Sequence, residues 1–283
     1  MAEADDTTPP DGGEAAFDTE DPVLLHEALA ALHGRRHHPA TLDAPPTFEL
    51  DRRVSLREER WLREERARVI EGAAHAPSGA NALAWWIEAS AADLDDPLLD
   101  HIAHRATLSE MRFFLEQERA AEVPIEEVVS LAARGLGQGP RDALAQLHVG
   151  GPSVAPLVGE LALDTERTLP ESLARANLLL SLAYVRRYAI HALGALAAAA
   201  LSHRSIWSRV RAGLARLGIE VSHGDERIDL VVIAALASGD RDRARWMAEG
   251  ARMRLELDRR ALAACREALE QGASHGAVSS GRD

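Results

Sequence analysis

One carboxylate in this chain falls where a carboxylate is costly. Leu108, Met111, Phe114 and Leu115 define an apolar arc at helical spacing, and Glu118 falls inside that arc with Glu122 beside it. An ionised carboxylate buried without a partner is strongly unfavourable, so Glu118 must be protonated, paired with an arginine or bound to a metal. His101 and His104, at i,i+3, could reach one metal ion, but no third ligand follows at matching spacing. His37 and His38 read as surface residues. A further set, Asn177, Ser181, Tyr184, Tyr188 and His191, recurs at helical spacing as a polar or amphipathic stripe. It is either a candidate pocket or contact surface, or ordinary helix packing with satisfied polar tips.

These residues need helices to position them. Thr107-Leu108-Ser109-Glu110 is a capping box opening the helix that carries Glu118. Thr168-Leu169-Pro170-Glu171 is another, and the pattern predicts one long helix from Thr168 to Leu201. Its apolar face is Leu178, Leu182, Val185, Ala189, Leu193, Leu196 and Ala200, with the polar stripe about 120° away. Ser55-Leu56-Arg57-Glu58 predicts a mostly exposed helix to about Glu71 with solvated carboxylates. Shorter helices are expected from Asp21-Pro22 to Gly34, after Ser78-Gly79 around Trp85 and Trp86, from Asp96-Pro97, from Pro124 to near Gly135, from Arg141 to His148, and from Pro152 to about Leu163. Arg35 to Leu50 reads as a loop. Later helices are expected over Ser205 to Leu217, Asp225 to Ser238, and from an Asp240 cap to Gly272.

Composition narrows the classes. Ala, Leu, Arg and Glu dominate, aromatic content is 4%, and strand-like alternation is scarce, which is an all-α signature. All 32 basic residues are arginine. The net charge of -13 is concentrated in the first twenty residues, which carry seven negative charges and no positive ones and read as a disordered acidic tail. The helix faces beyond it have mixed sign, so no basic patch for nucleic acid emerges. Adjacent Arg186 and Arg187 exclude the longest apolar stretch as a membrane span. The single cysteine, Cys265, and the lack of a signal-like segment give a cytoplasmic expectation. The Gly135–Pro140 loop lacks the Gly-Lys-Ser/Thr ending of a phosphate loop, and no nucleophile elbow, dinucleotide fingerprint or cysteine zinc motif occurs.

Three segments resemble the iron-containing redox enzyme family, whose members have the heme-oxygenase-like fold and include diiron oxidases. They are Thr107–Glu118 (TLSEMRFFLEQE), Glu171–Asn177 (ESLARAN) continuing through Arg186–Ala189 to Gly194–Leu196, and Ala248–Leu255 (AEGARMRL). The resemblance implies about seven core helices over residues 96–272; outside it the residues themselves read as a helical extension over 21–95, a disordered tail at 1–20 and a flexible tail at 273–283. In the family, carboxylates and histidines hold two irons that activate dioxygen.

Most of the implied ligands do not carry over. Glu118 matches the family's first-helix glutamate, and His148 follows a shortened Asp142-Ala143 segment that lacks the second glutamate. Ala200 stands at the third ligand position, and His191 lies about 180° from it around the same helix. His223 matches the first member of the last motif, where Arg227 and Leu230 replace the other ligands. Glu118, His148 and His223 are therefore expected as remnant metal ligands, with Glu122, Asn177, Tyr184, Tyr188 and His191 around a candidate pocket. The expectation is a degenerate member with no cofactor, acting as a non-catalytic partner or as a scaffold for a small molecule or peptide. Its partner would be a second copy or an active relative. The alternative is an active non-heme iron oxygenase with a rearranged site, and a third option is cofactor-free acid–base chemistry at Glu118.

Overall fold

Good helix formers dominate the chain, and the computed structural model is built almost wholly of helices. It describes residues 21–37, 48–70, 80–134, 136–144, 149–150, 154, 157–158, 161–163, 167–221, 227–228, 235–237 and 240–279. The helices are α1 (Pro22–His37), α2 (Phe48–Ile70), α3 (Ala80–Ala92), α4 (Asp96–His104), α5 (Leu108–Ala120), α6 (Ile125–Arg134) and α7 (Gln138–Leu144). They continue with α8 (Pro170–Tyr184), α9 (Ala189–Arg216) and α10 (Arg241–Ser279). Val149–Gly150 and Arg227–Ile228 form a two-residue antiparallel ladder. None of the described helices is long and apolar enough to cross a membrane.

The expected acidic tail, the helix over Pro152 to Leu163 apart from short pieces, and both His148 and His223 lie outside the described residues. The helix expected from Asp225 does not run through Arg227–Ile228, which pair with Val149–Gly150 instead. The β-branched run Ile228, Val231, Val232 and Ile233 suits extended backbone as well as helix. The last helix starts on the expected cap, with Asp240 accepting from the amides of Asp242 and Arg243, and continues past Gly272 to Ser279.

The predicted Thr168–Leu201 helix is corrected at both ends of its range. Its N-cap is Leu169, whose own side chain caps nothing. Gln117 of α5 takes that role, its Oε1 accepting from the Leu169 amide at 2.8 Å and the Ser172 hydroxyl at 3.1 Å. The helix then breaks at Val185, where ψ is 94°, and Arg186–Tyr188 form one 3-10 turn before α9 begins. Aromatic, β-branched and adjacent like-charged residues make Tyr184–Tyr188 a weak helix, and the break lets Arg187 reach Glu59 of α2 at 2.9 Å. The interruption expected near Ser202–Ser205 is absent. Helix α9 runs unbroken through Ser202–Ser205, and Ser202 donates its hydroxyl across to Asp258 of α10 at 2.7 Å.

Further differences lie near the amino terminus. Helix α1 runs beyond Gly34 to His37, and α2 opens at Phe48 and not at Ser55. Ser55 instead accepts from Arg36 of α1 at 3.1 Å, a tertiary bond in place of a cap. Nor are all the α2 carboxylates solvated, since Glu58 and Glu65 are buried and bonded.

Helices α9 and α10 form the most extensive pairing of the bundle. A Cβ on Gly194 would stand 1.8 Å from the Met247 carbonyl oxygen, and one on Gly250 would stand 1.9 Å from that of His191. Two glycines facing each other's helix thus let the backbones approach, and small residues such as Ala195, Ala197, Ala198 and Ala251 continue the close seam. The apolar interior forms two clusters. One includes Leu29, Leu62, Leu178, Leu193 and Leu257; the other includes Ile102, Phe114, Trp207, Leu214 and Leu262. Along α9 and α10 the change from one cluster to the other falls beside Ser202 and Asp258.

Replacing Gly194 or Gly250 by alanine is expected to destabilise the fold by several kcal/mol, because backbone must move on both helices. Gly34 and Gly272 lie in helices with nothing within 4 Å of the place an added methyl would occupy, and alanine there should stabilise by about 0.5–1 kcal/mol. Chemical denaturation of the four single variants tests the opposite signs.

Candidate functional site

Glu118 is buried, and both of its oxygens are taken by one guanidinium. Arg175 of α8 donates from Nη1 to Glu118 Oε1 at 2.6 Å and from Nη2 to Oε2 at 3.3 Å. Its third nitrogen, Nε, donates to Asp258 Oδ1 of α10 at 2.7 Å. Arg254, one turn before Asp258, donates to the same oxygen at 3.0 Å, and its Nη1 donates to the Arg175 carbonyl at 3.0 Å. Ser202 of α9 donates to the remaining oxygen, Asp258 Oδ2, at 2.7 Å. Two carboxylates and two guanidinia therefore neutralise one another, and α5, α8, α9 and α10 each supply at least one member. Each of the four charged side chains is at most 4% exposed.

The charges are self-consistent. Burial pushes the Asp258 carboxyl up, but Arg254, Arg175 and the Ser202 hydroxyl more than offset it and leave its pKa lowered. Burial pushes Arg175 down, and Glu118 and Asp258 outweigh that, so it stays cationic. Arg254 ends lowered, with burial the largest cause. Nearby His203 is lowered to about 4, chiefly by burial. Cys265 is buried and pushed up to about 12, again chiefly by burial, which keeps it an inert thiol.

The described residues do not fit the two irons that the family resemblance implies. A dication needs carboxylates whose charge is free to face it, whereas Glu118 is neutralised by Arg175 through both oxygens and Asp258 faces two cations. Among the described residues no three metal-ligating side chains converge. Glu122 lies beyond the end of α5, is exposed, and accepts from the Val154 amide at 2.6 Å, so it does not stand inward beside Glu118. His101 pairs with Glu110 at 3.3 Å, while His104 bonds to the carbonyl of Asp100 in its own helix. Ala200 is half-buried on α9.

The polar stripe is covered by other helices. Asn177 donates to the His26 carbonyl at 2.9 Å, and Ser181 meets His33 Nε2 at 3.1 Å, both on α1. Tyr184 donates to Glu127 at 2.5 Å, stacks on His33 and lies under Arg36, and burial followed by Glu127 keeps its hydroxyl protonated. Arg36 also grips Glu58 through two 3.0 Å bonds. Farther along, His191 Nε2 contacts Glu249 at 3.1 Å, beside the 2.8 Å bond from Arg66 to the same oxygen. Burial raises the Glu249 carboxyl, but His191 and Arg66 prevail and lower it to about 2. Tyr188 packs edge-on against His191. Burial lowers His33 to about 3 and His26 to about 4.

Residue spacing singled out Glu118 but not Arg175, Ser202, Arg254, Asp258 or Gln117. A signal existed for three of them. Arg175 precedes Leu178 and Leu182 by helical steps, and Arg254 and Asp258 fall in the apolar arc of Met247, Ala251, Leu262 and Cys265. Compared with family models, curated proteins and solved structures, the chain finds no match.

Arg175→Met leaves Glu118 buried without its cation and is expected to cost about 3–5 kcal/mol in denaturant unfolding. Adding Glu118→Leu should recover part of that loss, a non-additivity readable by a double-mutant cycle. The buried histidines predict a separate effect. His26 and His33 bind fewer protons folded than unfolded, so stability present above pH 6.5 is lost as pH falls toward 4 and 3. Each contributes a slope of roughly 1.4 kcal/mol per pH unit inside its window, and His33→Gln should flatten the fall in unfolding free energy between pH 7 and 5.

Proposed function

We propose that this chain is a heme-oxygenase-like helical protein related to the iron-containing redox enzymes, working as a non-catalytic binding scaffold. The observation that carries this reading is the bidentate Arg175–Glu118 pair, with Arg175 also bonded to Asp258. The one carboxylate that matches a family ligand is occupied by a fixed internal cation, and charge neutrality is reached within the protein. What remains of such a fold is a rigid bundle that presents surface and clefts to a small molecule, a peptide, an active relative or a second copy of itself.

The same pair argues against acid–base chemistry at Glu118. A general base must be within reach of substrate, and Glu118 is buried with both oxygens held by Arg175. An iron-dependent oxygenase would have to assemble its ligands elsewhere in the chain.

Anaerobic loading with ferrous iron, desalting and mass-spectrometric metal analysis tests the reading. The expected result is far less than one iron per chain in the wild type and in Glu118→Gln alike, with the variant less stable by on the order of 3 kcal/mol. About two irons per chain that disappear in Glu118→Gln would overturn the proposal.

A further inference from the structure

A cleft of about 460 Å³ opens between α2, α3 and α10. Pockets for small organic ligands commonly span roughly 300–1,000 Å³, so it is large enough for one or two fused rings. Val69, Trp86 and Leu255 supply apolar wall, while Arg68, Arg252 and Arg259 make it cationic in a protein of net charge -13. The cations are not equivalent. Arg68 is bonded to Glu65 at 2.5 Å, and Arg259 faces Glu256 at 3.9 Å. Arg252 makes no hydrogen bond or ion pair among the described residues; its guanidinium lies over the Trp86 ring at 5.1 Å.

A half-buried guanidinium with no hydrogen-bonded or ion-paired anion among the described residues is an incomplete arrangement. Burial lowers the Arg252 pKa, with Glu249 pulling it partly back, so the cation is short of compensating charge. With one face on an indole, a guanidinium still offers its N–H edge, whose fork matches a carboxylate in two parallel bonds. The fork of this one guanidinium matches a single carboxylate, whereas a phosphate dianion would bring additional charge toward Glu65 and Glu256. We propose that this cleft binds a small planar monocarboxylate, its carboxylate on Arg252 and its apolar body against Trp86, Val69 and Leu255.

The assignment is independent of the scaffold reading. At about 100° per residue, Arg252, Leu255, Glu256 and Arg259 lie on the side of α10 away from Arg254 and Asp258. A cleft on that side would serve an iron-binding protein equally well, so metal content and carboxylate binding are separate measurements.

Isothermal titration of the full chain with 2-naphthoate, 2-naphthamide and inorganic phosphate tests the proposal. Expected are one saturable site for 2-naphthoate and affinities weaker by about tenfold or more for the amide and for phosphate. Arg252→Met should weaken naphthoate by a similar factor while the melting temperature stays near the wild-type value. Ser90→Tyr, which fills the cleft from α3, provides a second variant expected to abolish binding. No saturable binding at millimolar naphthoate would overturn the proposal. So would equal affinity for the amide, preference for phosphate, or binding unchanged in both variants.

Discussion

The arrangement of this bundle depends on keeping one buried cation satisfied. Arg175 is almost fully shielded from water, and moving a guanidinium there is unfavourable unless every nitrogen finds an acceptor. Glu118 and Asp258 meet that demand from two other helices, and they in turn require Arg254 and Ser202. Such networks contribute little net energy compared with an apolar core of the same volume, but breaking them is costly. Their consequence here is positional. The relative placement of α5, α8, α9 and α10 is held wherever these side chains must meet within hydrogen-bonding distance.

Close backbone contact is what brings those side chains within reach. Gly194 and Gly250 let α9 and α10 approach, and short side chains such as Ser202 and Asp258 then bridge the same pair of helices. Larger residues at the crossing would hold the axes farther apart, and a serine hydroxyl could no longer reach the carboxylate. The amino-terminal helices obey a related logic. Asn177, Ser181 and Tyr184 present polar groups that would be unsatisfied against an apolar neighbour, and α1 answers with His26, His33 and Arg36.

Internal compensation at the centre carries the scaffold reading, and an Arg252 with no bonded anion among the described residues carries the separate cleft proposal. A charge already paired within the protein resists recruitment by a metal or a substrate, because releasing it leaves its partner exposed to the same desolvation penalty. An arginine stacked on tryptophan beside an open cleft has no such internal partner among the described residues. The ligand site proposed for this protein therefore lies at the α2–α3–α10 cleft and not at the bundle centre.

Local rules were enough for the helical class, for the caps at Thr107 and Asp240, and for the inward direction of Glu118. These follow from period and capping, which act over a few residues and are written in the chain. Tertiary structure alone decided that Ser202 would bond to Asp258, that Gln117 would cap α8, and that Glu58 and Glu65 would be buried. It also chose Arg175 as the partner of Glu118, 57 positions away. Each of these outcomes depends on a group distant in sequence, and a helix's own periodicity states which face turns inward without stating what waits there.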